Sequence, residues 1–138
     1  SNYLDALVRD LVHAYAVGIR LKMDVDIRTR TLSVDTLVPL GLLINEIISN
    51  SFKHAFKGRS AGTIIVHLDG GEEEGLSLRI GDDGVGLPDR VGWKDPQSLG
   101  MELIHTLAGQ LGLVVRLNDA PGTVYELVAE GRKDRKRA

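Results

Sequence analysis

Cysteine is missing from all 138 residues. The chain therefore has no disulfide frame, no thiolate metal site and no sulfur nucleophile. Long apolar runs are missing too. No stretch approaches the ~20 residues that span a bilayer, and nothing at the start resembles a signal peptide. A soluble, cytoplasmic domain is the expectation. An excess of charge of either sign is also lacking, with a formal net charge of −2, which argues against a nucleic-acid binder whose affinity comes from a basic face. Two motifs are absent as well. There is no GxxxxGK[ST] phosphate loop, and the scattered His13, His54, His67 and His105 form no HExxH or comparable ligand spacing. Gly58 to Gly62 spells GxSxG, but the esterase elbow needs a strand before its serine and a helix after it, and here that order is reversed.

What is present suits one domain, large enough to bury about two-thirds of the surface of its unfolded chain. Tyr3 to Val17 has Leu4, Leu7, Val8, Leu11 and Tyr15 at helical spacing, and Gly18 is placed to end that helix. Ile19 to Ile27 alternates apolar and polar without a fault, as a half-buried strand does. A brief strand over Leu32 to Val34 would precede a long helix, Asp35 to Lys57, capped by Asp35 and carrying Pro39 in its first turn. Thr63 to Asp69 and Leu76 to Ile80 read as a strand hairpin. The segment Asp82 to Pro88, DDGVGLP, breaks into glycine-rich loop, and Asp89 to Gln97 is polar loop holding Trp93. Ser98 would cap a second core helix, Leu99 to Leu111, and Leu113 to Leu117 with Thr123 to Ala129 would close the sheet as a hairpin. The final eight residues, GRKDRKRA, form a basic tail expected to be disordered. Strands joined mostly as hairpins predict an α+β chain. It should be a two-layer α/β sandwich whose mixed, mostly antiparallel sheet carries helices on one face.

The long helix holds the first candidate site. At about 100° per residue, Asn50, Lys53, His54 and Lys57 fall within about 80° of Glu46, on one stripe. Leu43, Ile44, Ile47, Ile48, Ser51, Phe52, Ala55 and Phe56 fill the rest and must pack. A carboxylate, a carboxamide, an ammonium and an imidazole in a row are equipped for chemistry, although a solvated face has a similar look. Asp82 closes a strand ahead of Gly84 and Gly86. A carboxylate only accepts hydrogen bonds, which suits the exocyclic amine of adenine and not the carbonyl of guanine, and glycines let backbone approach a flat ring. Asp and Gly also dominate ordinary turns. Leu99, Gly100 and Met101 open a helix, where backbone amides attract phosphate. Gly122-Thr123 reads as a plain turn into a strand.

In this order, NEIISNSFKHAF, DDGVGLP, SLGMELIHTLAGQL and PGTVYEL resemble the four boxes of a known superfamily. It is the ATP-binding domain shared by sensor histidine kinases, gyrase-type topoisomerases, mismatch-repair ATPases and heat-shock chaperones, with the Bergerat-type fold. The likeness is greatest to bacterial sensor histidine kinases near the HWE type, with histidine where the first box usually has tyrosine, and runs from about Tyr3 to Val128. The resemblance implies ATP and Mg²⁺ as ligands. Asn50 would hold the magnesium, Lys53 would neutralise phosphate, and His54 would line the pocket. Asp82 would accept from the adenine amine, with Gly84 and Gly86 beneath it, and Thr123 would support adenine through water. Leu99, Gly100 and Met101 would meet the phosphates, residues from about Leu87 to Leu99 would form a lid, and Glu46 sits where hydrolysing relatives keep a water-activating carboxylate. Residues 1–17 would be the end of a dimerisation-domain helix, 18–130 the catalytic domain and 131–138 the tail.

Two departures stand out. Ser98 replaces a glycine common in the second glycine box, and no phosphoacceptor histidine is present. The resemblance therefore implies a catalytic domain acting on a histidine-bearing dimerisation domain upstream, in a full-length homodimer that passes phosphate to a response regulator. The fragment itself can be monomeric. The main alternative is an anti-sigma-factor serine kinase with the same pocket, which the kinase-like helix at 3–15 argues against. An ATP hydrolase using Glu46 lacks a following transducer domain, and a degenerate domain would bind no nucleotide.

Overall fold

Alternation along the strands sorts the sheet into a wet face and a dry one. The computed structural model describes residues 2–30, 32–56, 60–84, 99–118 and 122–131. Its elements are α1 (Asn2–Tyr15), β1 (Arg20–Thr29), α2 (Val34–Asn50), a π-helical turn (Ser51–Ala55), β2 (Ala61–Gly71), β3 (Gly75–Asp82), α3 (Leu99–Gln110), β4 (Val114–Asn118) and β5 (Thr123–Glu130). The five strands form one mixed sheet in the order β1-β2-β3-β5-β4. Only β1 and β2 are parallel. A parallel neighbour needs a crossover, and α2 supplies it.

Register aligns the inward residues in rows. Val25, Val66, Ile80, Tyr125 and Leu117 lie abreast, as do Ile27, Leu68, Leu78, Leu127 and Val115. Against this face α2 buries Leu40, Leu43, Ile44, Ile47 and Ile48 completely or nearly so, each worth roughly 1.5–3 kcal/mol. Leu4, Val8 and Val12 of α1 and Ile104, Leu107 and Ala108 of α3 complete the layer. The opposite face carries exposed polar contacts, among them His67 Nε2 with Asp24 Oδ1 at 2.9 Å and the Arg79–Glu126 ion pair at 3.8 Å. Such pairs contribute little to stability, and His67 is accounted for by its aspartate.

Four expectations need correction. Leu32 to Val34 is not a strand, because Val34 already begins α2. The N-cap is Ser33, not Asp35, which lies in the first turn. The carbonyl of Ser33 accepts from the backbone N–H groups of Thr36 and Leu37 at 3.1 and 2.8 Å, so the cap lies two residues earlier than expected. The long helix is also not one continuous α-helix to Lys57: α geometry stops at Asn50, and Ser51–Ala55 winds as a π turn. There the Phe56 N–H donates to the Ser51 carbonyl at 3.3 Å, five residues back. Finally, Ser51 is not a mere packing residue, as its contacts below make plain.

Candidate functional site

A row of inward residues ends on a charge. Following the alternation of β3, Leu76, Leu78 and Ile80 point into the core, and Asp82 is next in that series. Its register partners are Ile64 on β2 and Thr123 on β5. Asp82 is only 2% exposed. A buried carboxylate demands partners, and three converge on it. Ser51 donates its hydroxyl to Oδ2 at 2.6 Å. The backbone N–H of Gly84 donates to Oδ1 at 3.0 Å, and that of Thr123 at 3.4 Å. A carboxylate offers about four acceptor directions. Among the described residues three are taken, two on Oδ1 and one on Oδ2, and the fourth direction, on Oδ2, is not used by them.

Burial pushes the Asp82 carboxyl above the ordinary carboxylate range. The Ser51, Gly84 and Thr123 hydrogen bonds oppose that rise, and the charge of Asp83 adds to it. Tyr125, two residues beyond Thr123 and 2% exposed, has its phenol pushed up to about 12, first by burial and then by the Asp82 charge. Asp83 has a separate task. Its Oδ1 accepts the Thr63 N–H at 2.8 Å and its own N–H reaches the Thr63 carbonyl at 3.3 Å, tying the end of β3 to β2.

Backbone closeness around Asp82 depends on two glycines. A Cβ at Gly122 would stand 2.0 Å from the Asp82 carbonyl oxygen, and one at Gly81 would stand 2.0 Å from that of Thr123. No side chain fits at either place. Gly122-Thr123, which reads as a plain turn, is therefore part of the site.

The structure brings Asp82, Gly84 and Thr123 together. Asn50 ends α2 directly before Ser51 and is half-buried. Glu46 lies one turn earlier, also half-buried, and Lys53 is exposed in the π turn. The π turn accommodates an extra residue, so the stripe computed at a constant 100° holds only up to Asn50. Leu99, Gly100 and Met101 form the first turn of α3. Gly86, Lys57, the segment 87–98 with Ser98 and Trp93, and residues 132–138 lie outside the described residues, as do the side chains of His54, Leu99 and Met101. Among the described residues no group of three or more His, Asp or Glu could hold a metal ion.

Sequence reasoning missed two members of the site, Ser51 and Tyr125. Ser51 carried a readable signal, being a hydroxyl on the face of the helix occupied by Ile44, Ile47 and Ile48. Tyr125 carried none, since a tyrosine in an alternating strand looks like core.

Comparison with known proteins bears on this arrangement. No family model matches the chain. It is 29% identical over 126 residues to the blue-light-activated histidine kinase 2 of Erythrobacter litoralis, covering 91% of this chain and 36% of that protein. The chain thus spans about a third of that relative's length. The histidine kinase domain of the E. litoralis EL346 blue-light-activated kinase superposes with a TM-score of 0.83 at 26% identity, over 93% of this chain and 63% of that one. The ATP-binding domain of PrrB from Mycobacterium tuberculosis shares the fold, with a TM-score of 0.63 at 20% identity, over 94% of this chain and 92% of that domain. These relatives and structural neighbours are histidine kinases and their ATP-binding domains, and the chain shares that fold.

Proposed function

We propose that the chain is the catalytic domain of a two-component sensor histidine kinase. It binds ATP with Mg²⁺ and transfers the terminal phosphoryl group to a histidine on a separate dimerisation domain. The observation that carries this reading is Asp82: a buried carboxylate with three hydrogen bonds among the described residues and a fourth acceptor direction, on Oδ2, that they do not use. An open acceptor in a dry site selects a donor, and the exocyclic amine of adenine is one. Gly84 and Gly86 would form the floor beside the ring, and the buried Thr123 would back it.

Phosphoryl transfer is mostly positioning and electrostatics. Asn50 and Glu46, on successive turns of α2, offer the oxygen donors a hard cation prefers. With no all-protein cage among the described residues, the remaining ligands of the cation would be phosphate oxygens and water. Bound there, magnesium would neutralise the charge developing on the phosphates. Lys53, exposed in the π turn, would pair with the same phosphates, and His54 would line the pocket. The first amides of α3, at Leu99, Gly100 and Met101, would present a helix N-terminus to them. Residues 1–17 would continue from the dimerisation domain, with a homodimer, a response regulator and a cytoplasmic location following for the whole protein.

The test has two parts. Calorimetric titration should show Mg·ATP binding about 10- to 150-fold tighter than Mg·GTP, the range for a hydrogen bond to a charged group. With labelled ATP, the chain should acquire no phosphohistidine itself and should label a separately supplied histidine-bearing dimerisation domain. Equal nucleotide affinities would overturn the adenine assignment. Label on a partner's serine, and none on histidine, would overturn the histidine kinase in favour of an anti-sigma-type kinase.

A further inference from the structure

We infer that Ser51 is a positioning residue for nucleotide choice: its hydroxyl, 2.6 Å from Asp82 Oδ2, aims the carboxylate's open acceptor so that the site prefers a purine bearing a ring amine over one bearing a ring carbonyl. This rests on the ATP reading above and assigns the selectivity to a residue outside the expected contact set.

Ser51 has one proton and two acceptors within reach, Asp82 Oδ2 at 2.6 Å and the Ile47 carbonyl at 3.3 Å. The shorter, charge-assisted bond takes the proton while Asp82 is ionised. Oδ1 is held by the two backbone amides of Gly84 and Thr123, so the side chain can turn only by moving Oδ2. Ser51 is the single side chain that fixes Oδ2 among the described contacts, and it is itself 5% exposed, so water does not replace it easily. Without that hydroxyl, Oδ2 presents two open acceptor directions instead of one. The neighbouring charges then matter more. Asp83 and burial both favour the neutral carboxyl, Ser51 is the foremost group opposing them, and Tyr125 is an uncharged phenol beyond neutral pH. A neutral carboxyl carries an O–H donor, which fits a ring carbonyl and misfits a ring amine.

The contact sits where the π turn begins, with the Ser51 N–H still bonded to the Ile47 carbonyl as in an α-helix. Continuing α geometry through residue 55 would give the Phe56 N–H a partner at residue 52; instead it bonds to the Ser51 carbonyl. The widened turn begins at the residue whose hydroxyl meets Asp82.

The experiment compares three ligands, Mg·ATP, Mg·GTP and the Mg²⁺ complex of purine riboside triphosphate, which has neither ring substituent. Each is titrated calorimetrically into the parent chain, Ser51→Ala and Ser51→Thr. The expected result for Ser51→Ala is a loss of about 5- to 20-fold for ATP, a change under about 2-fold for purine riboside triphosphate, and a smaller ATP-to-GTP ratio. Ser51→Thr, which keeps the hydroxyl, should restore the parent ratio. A uniform loss for all three ligands, or an unchanged ratio, overturns the role of Ser51 while leaving the ATP reading intact. A parent chain that binds ATP and purine riboside triphosphate alike overturns the adenine reading itself. Should Ser51→Ala fail to fold, the near-isosteric Ser51→Cys, a weak donor, makes the same comparison with the same deciding ratio.

Discussion

Two serines mark the two ends of α2, and each donates its hydroxyl to a carboxylate. At the entry, Ser33 reaches Glu72 Oε1 at 2.5 Å; at the exit, Ser51 reaches Asp82 Oδ2 at 2.6 Å. By length the bonds are twins. They differ in surroundings, since the first pair is exposed and the second is buried. In water a lost partner is replaced by solvent. In the core it leaves a charge undersupplied, at a cost of roughly 1–3 kcal/mol. Bond geometry alone therefore does not distinguish the two contacts, and burial of the acceptor does. The fold has a second lesson of the same kind. A hollow of about 370 Å³ lies near the entry end, lined by Asp35, Thr36, Glu72 and Gly109 to Gly112 among others, yet the polar group that requires an explanation is at the exit.

The comparison can be broken most forcefully through the glycines. At the buried end, Gly122→Ala or Gly81→Ala would drive a methyl to 2.0 Å from a backbone oxygen. We expect a loss of about 3 kcal/mol or more, seen as a melting temperature lower by ~10 °C or more. Near the entry, Gly71 is also buried, but the nearest atoms to its added methyl would be side-chain atoms of Arg30 and Glu74, at 3.3 and 3.4 Å, so Gly71→Ala should cost less, about 1 kcal/mol.

Asp82→Asn is the next sharpest probe. It should weaken Mg·ATP by about 10-fold or more without weakening the fold at neutral pH. The sign follows from the raised carboxyl. Between the ordinary value of 3.8 and the raised one, the folded chain binds more protons than the unfolded chain. Stability therefore falls as pH rises through that window. The amide variant has no proton to lose, so its stability curve should be flatter there, and its melting temperature at neutral pH equal or higher. Denaturation across that pH window checks both statements. A less stable variant with normal ATP binding would remove Asp82 from the site.

The two serines themselves give smaller effects. Ser51→Ala should cost about 1–3 kcal/mol and Ser33→Ala about 0.5–1 kcal/mol. In an Asp82→Asn background the Ser51→Ala cost should shrink, because no buried charge remains to satisfy. A double-mutant cycle by chemical denaturation measures that coupling, and additivity would contradict it.

Much of this was legible in the chain. Alternation in β1 and helical spacing in α1 and α3 gave the layers, because one-sided burial imposes its period on the residues. Asp82 was legible as an acceptor at a strand end, and Asn50 and Glu46 as one stripe. Gly122 was not. Its need for a bare Cα arises from a strand neighbour forty residues earlier in the sequence, and such tertiary closeness leaves no local pattern. The π turn was hidden for a different reason: Ser51 to Ala55 has ordinary helix-compatible residues. Ser33 displaced Asp35 as the cap because both are good cap residues, and the Glu72 contact that holds Ser33 comes from the distant β2–β3 turn.

The widened turn has a consequence in the language of heredity. A π turn holds one more residue than the α turn it replaces, so the helix carries a single-codon insertion in its geometry. Losing one codon between Ser51 and Ala55 would restore an even α-helix. Everything beyond the turn would then shift by one position against the sheet, including Phe56, whose ring lies where a Cβ on Gly62 would be. The register of the side chains that follow is set at Ser51, so a one-residue deletion there would move Phe56 off Gly62 while leaving the α2 residues before it in place.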